Sequence, residues 1–185
     1  GYSVVRHRRG DVDVTASWCV DERTSVKQVR LRVVNCGSRT LHLRAIGIAE
    51  WMMGANRSDR GTVDTVLFRQ RLSAGPVAAS AGLSALPERR LTALLCTQRE
   101  RSAGFGDGTA FLAIADAADE TEDWTCDRRE CFDARGRLVL PDHFGQRSGS
   151  GLDPCAALST SLTLGAGETA ERTFLLGYAA DPDSA

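Results

Sequence analysis

Two groups of residues carry the chemistry that this sequence could perform. Cys126 and Cys131, with four residues between them, precede His143 and Cys155. Thiolate and imidazole donors of this kind suit zinc, which prefers a tetrahedron of nitrogen and sulfur ligands. The first pair is wider than a Cys-x-x-Cys knuckle and no second tight pair follows, so structural thiols without a metal are the favoured reading. Trp124, Asp127 and Arg128 form the second group. An aromatic face, a carboxylate and a planar guanidinium suit sugar rings and hydroxyls, which makes these three the candidate substrate-binding residues. A surface ion pair explains Asp127 and Arg128 equally well. Glu50 beside Trp51 offers a further carboxylate and ring, read here as a buried Trp and a Glu bonded to nearby backbone.

A recognisable reaction centre does not accompany these groups. The sequence has no Gly-x-Ser-x-Gly elbow, phosphate loop or dinucleotide fingerprint. Carboxylates are numerous, but nothing in their spacing selects a glycosidase pair. No catalytic residue and no cofactor are therefore nominated.

The elements that must position these residues are strands. Val12, Val14, Ala16, Trp18 and Val20 share one parity against Asp11, Asp13, Thr15 and Ser17, the period-two pattern of a half-buried strand. Val29, Leu31 and Val33 repeat it. Leu41, Leu43 and Ala45 resume it after the turn residues Asn35-Cys36-Gly37-Ser38, so these two segments are expected to pair as a hairpin. Ile46 and Ile48 then fill the face that His42 and Arg44 occupied. A strand apolar on both faces lies between layers or under another domain, and the ring of Trp51 at its end is expected in the core. Residues 63–70, 91–97 and 110–116 read as further strands, with Asp107-Gly108 marking a positive-φ turn. Residues 73–87 and 117–123 read as loops, and residues 135–151 show little periodicity. Near the end, Leu158 to Leu164 and Ala170 to Leu176 flank Gly165-Ala166-Gly167-Glu168 and are expected to form a second hairpin. The fold class is all-β, an antiparallel multi-layer sandwich. Trp124, in a polar stretch, is expected to matter less for folding than Trp51.

Composition narrows the partners. The chain has 185 residues, 42% of them hydrophobic, enough for a single domain with its own core. Its 23 basic and 24 acidic residues leave a net charge of -1, which makes nucleic acid and anionic membrane poor partners. No apolar run reaches the roughly 18 residues of a membrane helix, and no signal peptide is apparent. The six cysteines are scattered, so a cytosolic protein with reduced thiols is expected.

Several phrases resemble a known family. Gly1-Tyr2-Ser3-Val4 with the long alternating strand, Ala49-Glu50-Trp51-Met52-Met53-Gly54, Phe111-Leu112-Ala113, Thr125-Cys126-Asp127-Arg128-Arg129-Glu130, and Gly151-Leu152-Asp153-Pro154-Cys155-Ala156-Ala157-Leu158 followed by Gly167-Glu168 and Phe174-Leu175-Leu176-Gly177 are similar to the sandwich domain of glycoside hydrolase family 94 phosphorylases. The Asp-Pro-Cys phrase is similar to the form found in cyclic β-1,2-glucan synthases. Cys131-Phe132-Asp133-Ala134-Arg135-Gly136 departs from the family's usual run, as do Ile48 and Met53. The resemblance implies a galactose-mutarotase-like supersandwich over residues 1–185, excised from a larger protein in which it precedes an (α/α) barrel. In the family the general acid and phosphate site belong to that barrel. The resemblance thus implies a non-catalytic domain that supports the barrel, lines a cleft for β-glucan oligosaccharide and takes part in a homodimer. It further implies a parent enzyme at the cytoplasmic face of the inner membrane, without direct membrane contact by this domain. A free-standing carbohydrate-binding module is the alternative.

Overall fold

The computed structural model describes residues 1–72, 89–100, 106–115 and 123–185. The loops expected at residues 73–87 and 117–122 lie outside the described residues. The alternating segments form strands: β1 (Tyr2–Arg9), β2 (Val12–Val20), β3 (Lys27–Asn35), β4 (Leu41–Glu50), β5 (Val63–Leu72), β6 (Arg89–Gln98), β7 (Thr109–Ala115), β8 (Asp123–Asp127), β9 (Gly149–Ser150), β10 (Pro154–Leu164) and β11 (Thr169–Ala179). Short 3₁₀ helices occupy Arg57–Thr62 and Arg128–Glu130. Asp107 has φ of 62°, the left-handed turn that the Asp-Gly pair predicts.

Two antiparallel sheets of unequal size stack face to face. Eight strands make the larger, in the order β1-β2-β3-β11-β7-β6-β5-β9, and three make the smaller, β4-β10-β8. The sheets enclose a core that includes Val33, Ala45, Leu94, Leu112, Ile114, Leu158, Leu162 and Phe174. Both Trp51 and Trp124 belong to it, at 9% and 6% exposed. Gly47 brings β4 close to the larger sheet, because a Cβ there would lie 2.6 Å from the Phe174 ring.

The topology corrects both expected hairpins. β3 pairs with β2 and β11, while β4 pairs with β10. The chain therefore crosses between sheets at residues 36–40, and it crosses again at residues 165–168. Alternation states which side of a strand meets the core. It does not state from which layer, so two strands facing one core from opposite sides read like a hairpin.

One buried side chain ties these two crossings together. The Asn35 Nδ2 group donates to Arg39 O at 2.7 Å, Gly165 O at 2.9 Å and Leu164 O at 3.0 Å. Its Oδ1 accepts from Gly37 N at 3.0 Å. Its own N–H donates to Glu168 O, and its carbonyl accepts from Gly167 N. Gln98 plays a similar part elsewhere: its amide donates to Met53 O and Asp59 O and accepts from Thr62 Oγ1 and Glu100 N, fixing the 51–62 segment.

A third layer covers the outer face of the smaller sheet. Cys131 and Phe144 are buried against Ala157, with Ile46, Ile48 and Phe132 packed around them. The apolar switch after Ala45 thus reflects a cover supplied by this chain. Charged anchors hold it down. Phe144 N donates to both Asp123 oxygens at 2.9 Å, Arg44 pairs with Asp123 at 3.2 Å, and Glu130 accepts from Thr125 Oγ1 and Gly145 N. The Arg44 guanidinium also donates to Pro141 O and Asp142 O and lies 5.2 Å from the Phe144 ring.

Two mutational outcomes follow from this packing. Asn35→Asp keeps shape and size but removes the donor to three carbonyls and buries a charge among them. It should cost about 3 kcal/mol or more, measured by urea unfolding, with Asn35→Ala no worse. Trp124 sits as deeply as Trp51, which corrects the expectation that it matters less. Trp51→Ala and Trp124→Ala should each cost about 3–5 kcal/mol in the same assay.

Candidate functional site

Three of the stretches that carry the family resemblance, around Glu50-Trp51, Asp127-Arg128 and Asp153-Pro154, meet at one end of the smaller sheet. In the β4–β10 pairing Cys155 lies opposite Glu50, and in the β8–β10 pairing Pro154 lies opposite Asp127. Trp51 N donates to Pro154 O, and Arg128 N donates to Asp153 O at 2.8 Å. Three segments widely separated in sequence thus share one backbone network, and their charged side chains form a cluster on its rim.

Asp127 is the fully buried member, at 0% exposed. Arg129 grips it with two parallel bonds, Nε to Oδ1 at 2.8 Å and Nη2 to Oδ2 at 2.7 Å, and Arg147 Nη1 lies 2.8 Å from Oδ2. Burial opposes ionisation of this carboxyl, but the hydrogen bonds from Arg129 and the charges of Arg129 and Arg147 outweigh it, so the pKa lies below the usual carboxylate value. Arg128 turns the other way. It hydrogen-bonds Glu50, which raises its pKa further, and its guanidinium stacks 4.3 Å from the Phe132 ring centre. Arg60 pairs with Asp153 at 2.8 Å. Trp124 stands behind this rim in the core. The structure therefore brings Trp124, Asp127 and Arg128 into one region, but Asp127 partners Arg129 and Arg147 rather than Arg128. Sequence reasoning left out Arg129, Arg147, Phe132 and Arg60. The run Arg128-Arg129 beside Asp127 was the available signal, since a bidentate carboxylate partner needs a planar donor nearby.

Every carboxylate in this cluster is matched to an arginine. Such an arrangement can present guanidinium donors and an aromatic edge to hydroxyls or to another protein surface.

Of the candidate zinc ligands, Cys131 and Cys155 are in contact, but the four do not form a metal site. Among the described residues no group of three His, Cys, Asp or Glu side chains is placed to hold a metal ion. Cys126, Cys131 and Cys155 are buried, whereas the His143 side chain is 90% exposed and lies 3.9 Å from Asp123. All six cysteines are unpaired thiols. Burial pushes Cys96 up to about 12 and Cys126 up to about 11. Cys155 hydrogen-bonds Cys131, which raises the Cys155 pKa and lowers that of Cys131.

The family model described as glycosyl hydrolase 94, supersandwich domain, matches residues 1–75 and 77–185. The chain belongs to this family. The supersandwich domain is also 29% identical over 191 aligned residues to a cyclic beta-(1,2)-glucan synthase, NdvB, of Rhizobium meliloti (strain 1021). That alignment covers 99% of this chain and 6% of the relative. The supersandwich assignment agrees with the two antiparallel sheets, and its matched span contains all three segments of the charged rim. Among the described residues no helix is long and apolar enough to cross a membrane.

The ion pairs of Asp127 predict an acid-sensitive fold. A carboxyl with a depressed native pKa adds stability that is present above its unfolded value, near 3.8, and is lost as the pH falls through the native pKa. Asp127→Asn should destabilise the domain by about 1–3 kcal/mol at pH 7, because the two arginines lose their charge partner while remaining half in water. The gap between variant and parent should narrow as pH is lowered below that range, as followed by thermal melts across a pH series. A gap that stays constant down to pH 2 would remove the ionised carboxylate from the account.

Proposed function

We propose that this supersandwich domain is a non-catalytic module of a larger glucan-handling enzyme. In this reading residues 1–185 form one domain within a multidomain chain. The rim built from Glu50, Arg128, Asp127, Arg129 and Arg147 faces an (α/α) barrel and borders the path of a β-glucan oligosaccharide. Arg128 touches sugar hydroxyls, with Phe132 as the flat surface beside it. Asp127 and Trp124 act from behind, the first by orienting Arg129 and Arg147 and the second by fixing β8 in the core. The carrying observation is the convergence of the three resemblance segments on one arginine-rich rim whose carboxylates are all paired. The likeness of the whole chain to a small part of a cyclic glucan synthase supports a modular role and a β-1,2-linked ligand. Placement at the cytoplasmic side of a membrane, through a parent enzyme, and a homodimer belong to the same proposal.

Two measurements test it. Incubation with β-1,2-glucan and phosphate should release no glucose 1-phosphate above background. Turnover that persists through repurification would overturn the non-catalytic reading. Addition of β-1,2-linked oligosaccharide should shift NMR signals of residues 127–132, and Arg128→Ala should abolish those shifts. Shifts confined to another face would show instead a binding module whose sugar site lies elsewhere.

A further inference from the structure

The two sheets do not match in width, and the mismatch leaves a prepared edge. β4 is the end strand of the smaller sheet and, among the described residues, pairs only with β10. Its unpaired side borders a slot against β3 and β11 of the larger sheet, and β2 and β1 continue that sheet outward from β3. Directly paired residues share a face, so the register places Ser3, Val5 and His7 beside Trp18, Ala16 and Val14, and these beside Val29, Leu31 and Val33. This face carries the core on its β3 side and emerges toward β1, where Val5 is 53% exposed. A slot of about 280 Å³ separates the β4 edge from it, lined by Lys27, Val29, Leu31, Phe174, Leu176 and the stretch from Ile46 to Ala49. Its volume falls just below the range of small-molecule pockets, about 300–1,000 Å³, and it is lined by four consecutive residues of β4.

Two of the edge strands, β1 and β4, differ in how they are guarded. Exposed edge strands attract further strands unless charges, proline or bulges obstruct them. β1 carries Arg6, Arg8 and Arg9 along its edge. The central stretch of β4, Ala45-Ile46-Gly47-Ile48-Ala49, has no charge and no proline, and its register with β10 runs unbroken. The sign of the surroundings is equally one-sided. Lys27 lines the slot and lies 5.9 Å from the Trp18 ring centre. His7 and Arg9 share the same face of β1, and no carboxylate falls on this face of β1, β2 or β3. A second copy could offer its own β1 edge, but that strand is basic and would meet like charge.

We propose that β4 is an acceptor edge for an added β-strand, and that its occupant is an extended, acidic polypeptide segment with apolar residues at alternate positions. The added strand continues the smaller sheet beyond β4. Its main chain pairs with those N–H and C=O groups of residues 45–49 that point away from β10, its apolar side chains enter the slot and extend over Val5, Ala16 and Trp18, and its carboxylates meet Lys27, His7 and Arg9. Main-chain pairing supplies affinity in this mode, and the side-chain pockets supply selectivity.

The probe is an acetylated and amidated peptide that alternates valine and threonine between terminal glutamates, titrated into the whole domain. Amide exchange of β4 residues pointing away from β10 should slow by about tenfold or more at saturation. Methylating one alternate set of peptide nitrogens should abolish binding while methylating the other set leaves it, because each edge of a strand uses every second residue. Lys27→Glu, checked for an unchanged β signature by circular dichroism, should weaken the peptide by about five- to tenfold and favour its lysine-ended counterpart, the scale of an exposed attraction turned into repulsion. Unchanged exchange at residues 45–49 overturns the proposal, as does equal tolerance of both methylation patterns. Protection of β4 through self-association without peptide, or by β-1,2-glucan oligosaccharide instead of peptide, overturns it as well.

Discussion

Both crossings at one end of the sandwich depend on the amide of Asn35. Four carbonyls or N–H groups from residues 37, 39, 164 and 165 converge on that side chain, and its own backbone is bonded to residues 167 and 168. Backbone leaving a sheet gives up ladder partners, and a buried unpaired carbonyl costs free energy comparable to a lost hydrogen bond. One asparagine resolves this for two loops at once, because its amide offers both donors and an acceptor. The relative placement of β3, β4, β10 and β11 follows from it. So does the stacking of the sheets, since these four strands bring Val33, Ala45, Leu164 and Phe174 to a common core.

At the opposite end of β10 the organisation is electrostatic. Asp127 is removed from water and held by two arginines, while Arg128 beside it reaches Glu50 on β4. Isolated surface ion pairs contribute little, but here they join β4, β8, β10 and the start of the covering layer. The rim is thereby rigid where a neighbouring domain or a sugar would need fixed donors. Rigidity also rests on Trp124 behind it, so folding and presentation of the rim share the same side chains.

The sequence made the strands legible and concealed their partners. Val12 to Val20 and Leu158 to Leu164 alternate so cleanly that their existence and inward faces could be read directly. Sheet membership could not, since Leu31 and Leu43 obey one rule while belonging to opposite layers. The double-sided apolar character of Ile46 and Ile48 did announce a third layer, although residues 131–147, which supply it, show no period of their own. Their position is set by single anchoring bonds to Asp123 and Glu130, and such bonds leave no pattern. Trp124 was misjudged for a related reason. Its sequence neighbours are polar, but Asp123 and Asp127 are consumed by pairing, and the strand between them is buried on both faces. The rim residues were recognisable only by residue type and by family likeness, because Asp127 and Arg147 meet through folding across a stretch without periodic order.

The Cys131–Cys155 contact gives this third layer a built-in clock. Both thiols are sealed from solvent, one on β10 and one in the cover. A thiol must ionise and meet its reagent before it reacts, and burial keeps the reagent from both sulfurs while residues 131–147 stay in place. The alkylation rate of these two sulfurs therefore measures how often the cover opens while the sandwich beneath stays folded, and comparison with buried Cys96 separates that local opening from unfolding of the whole.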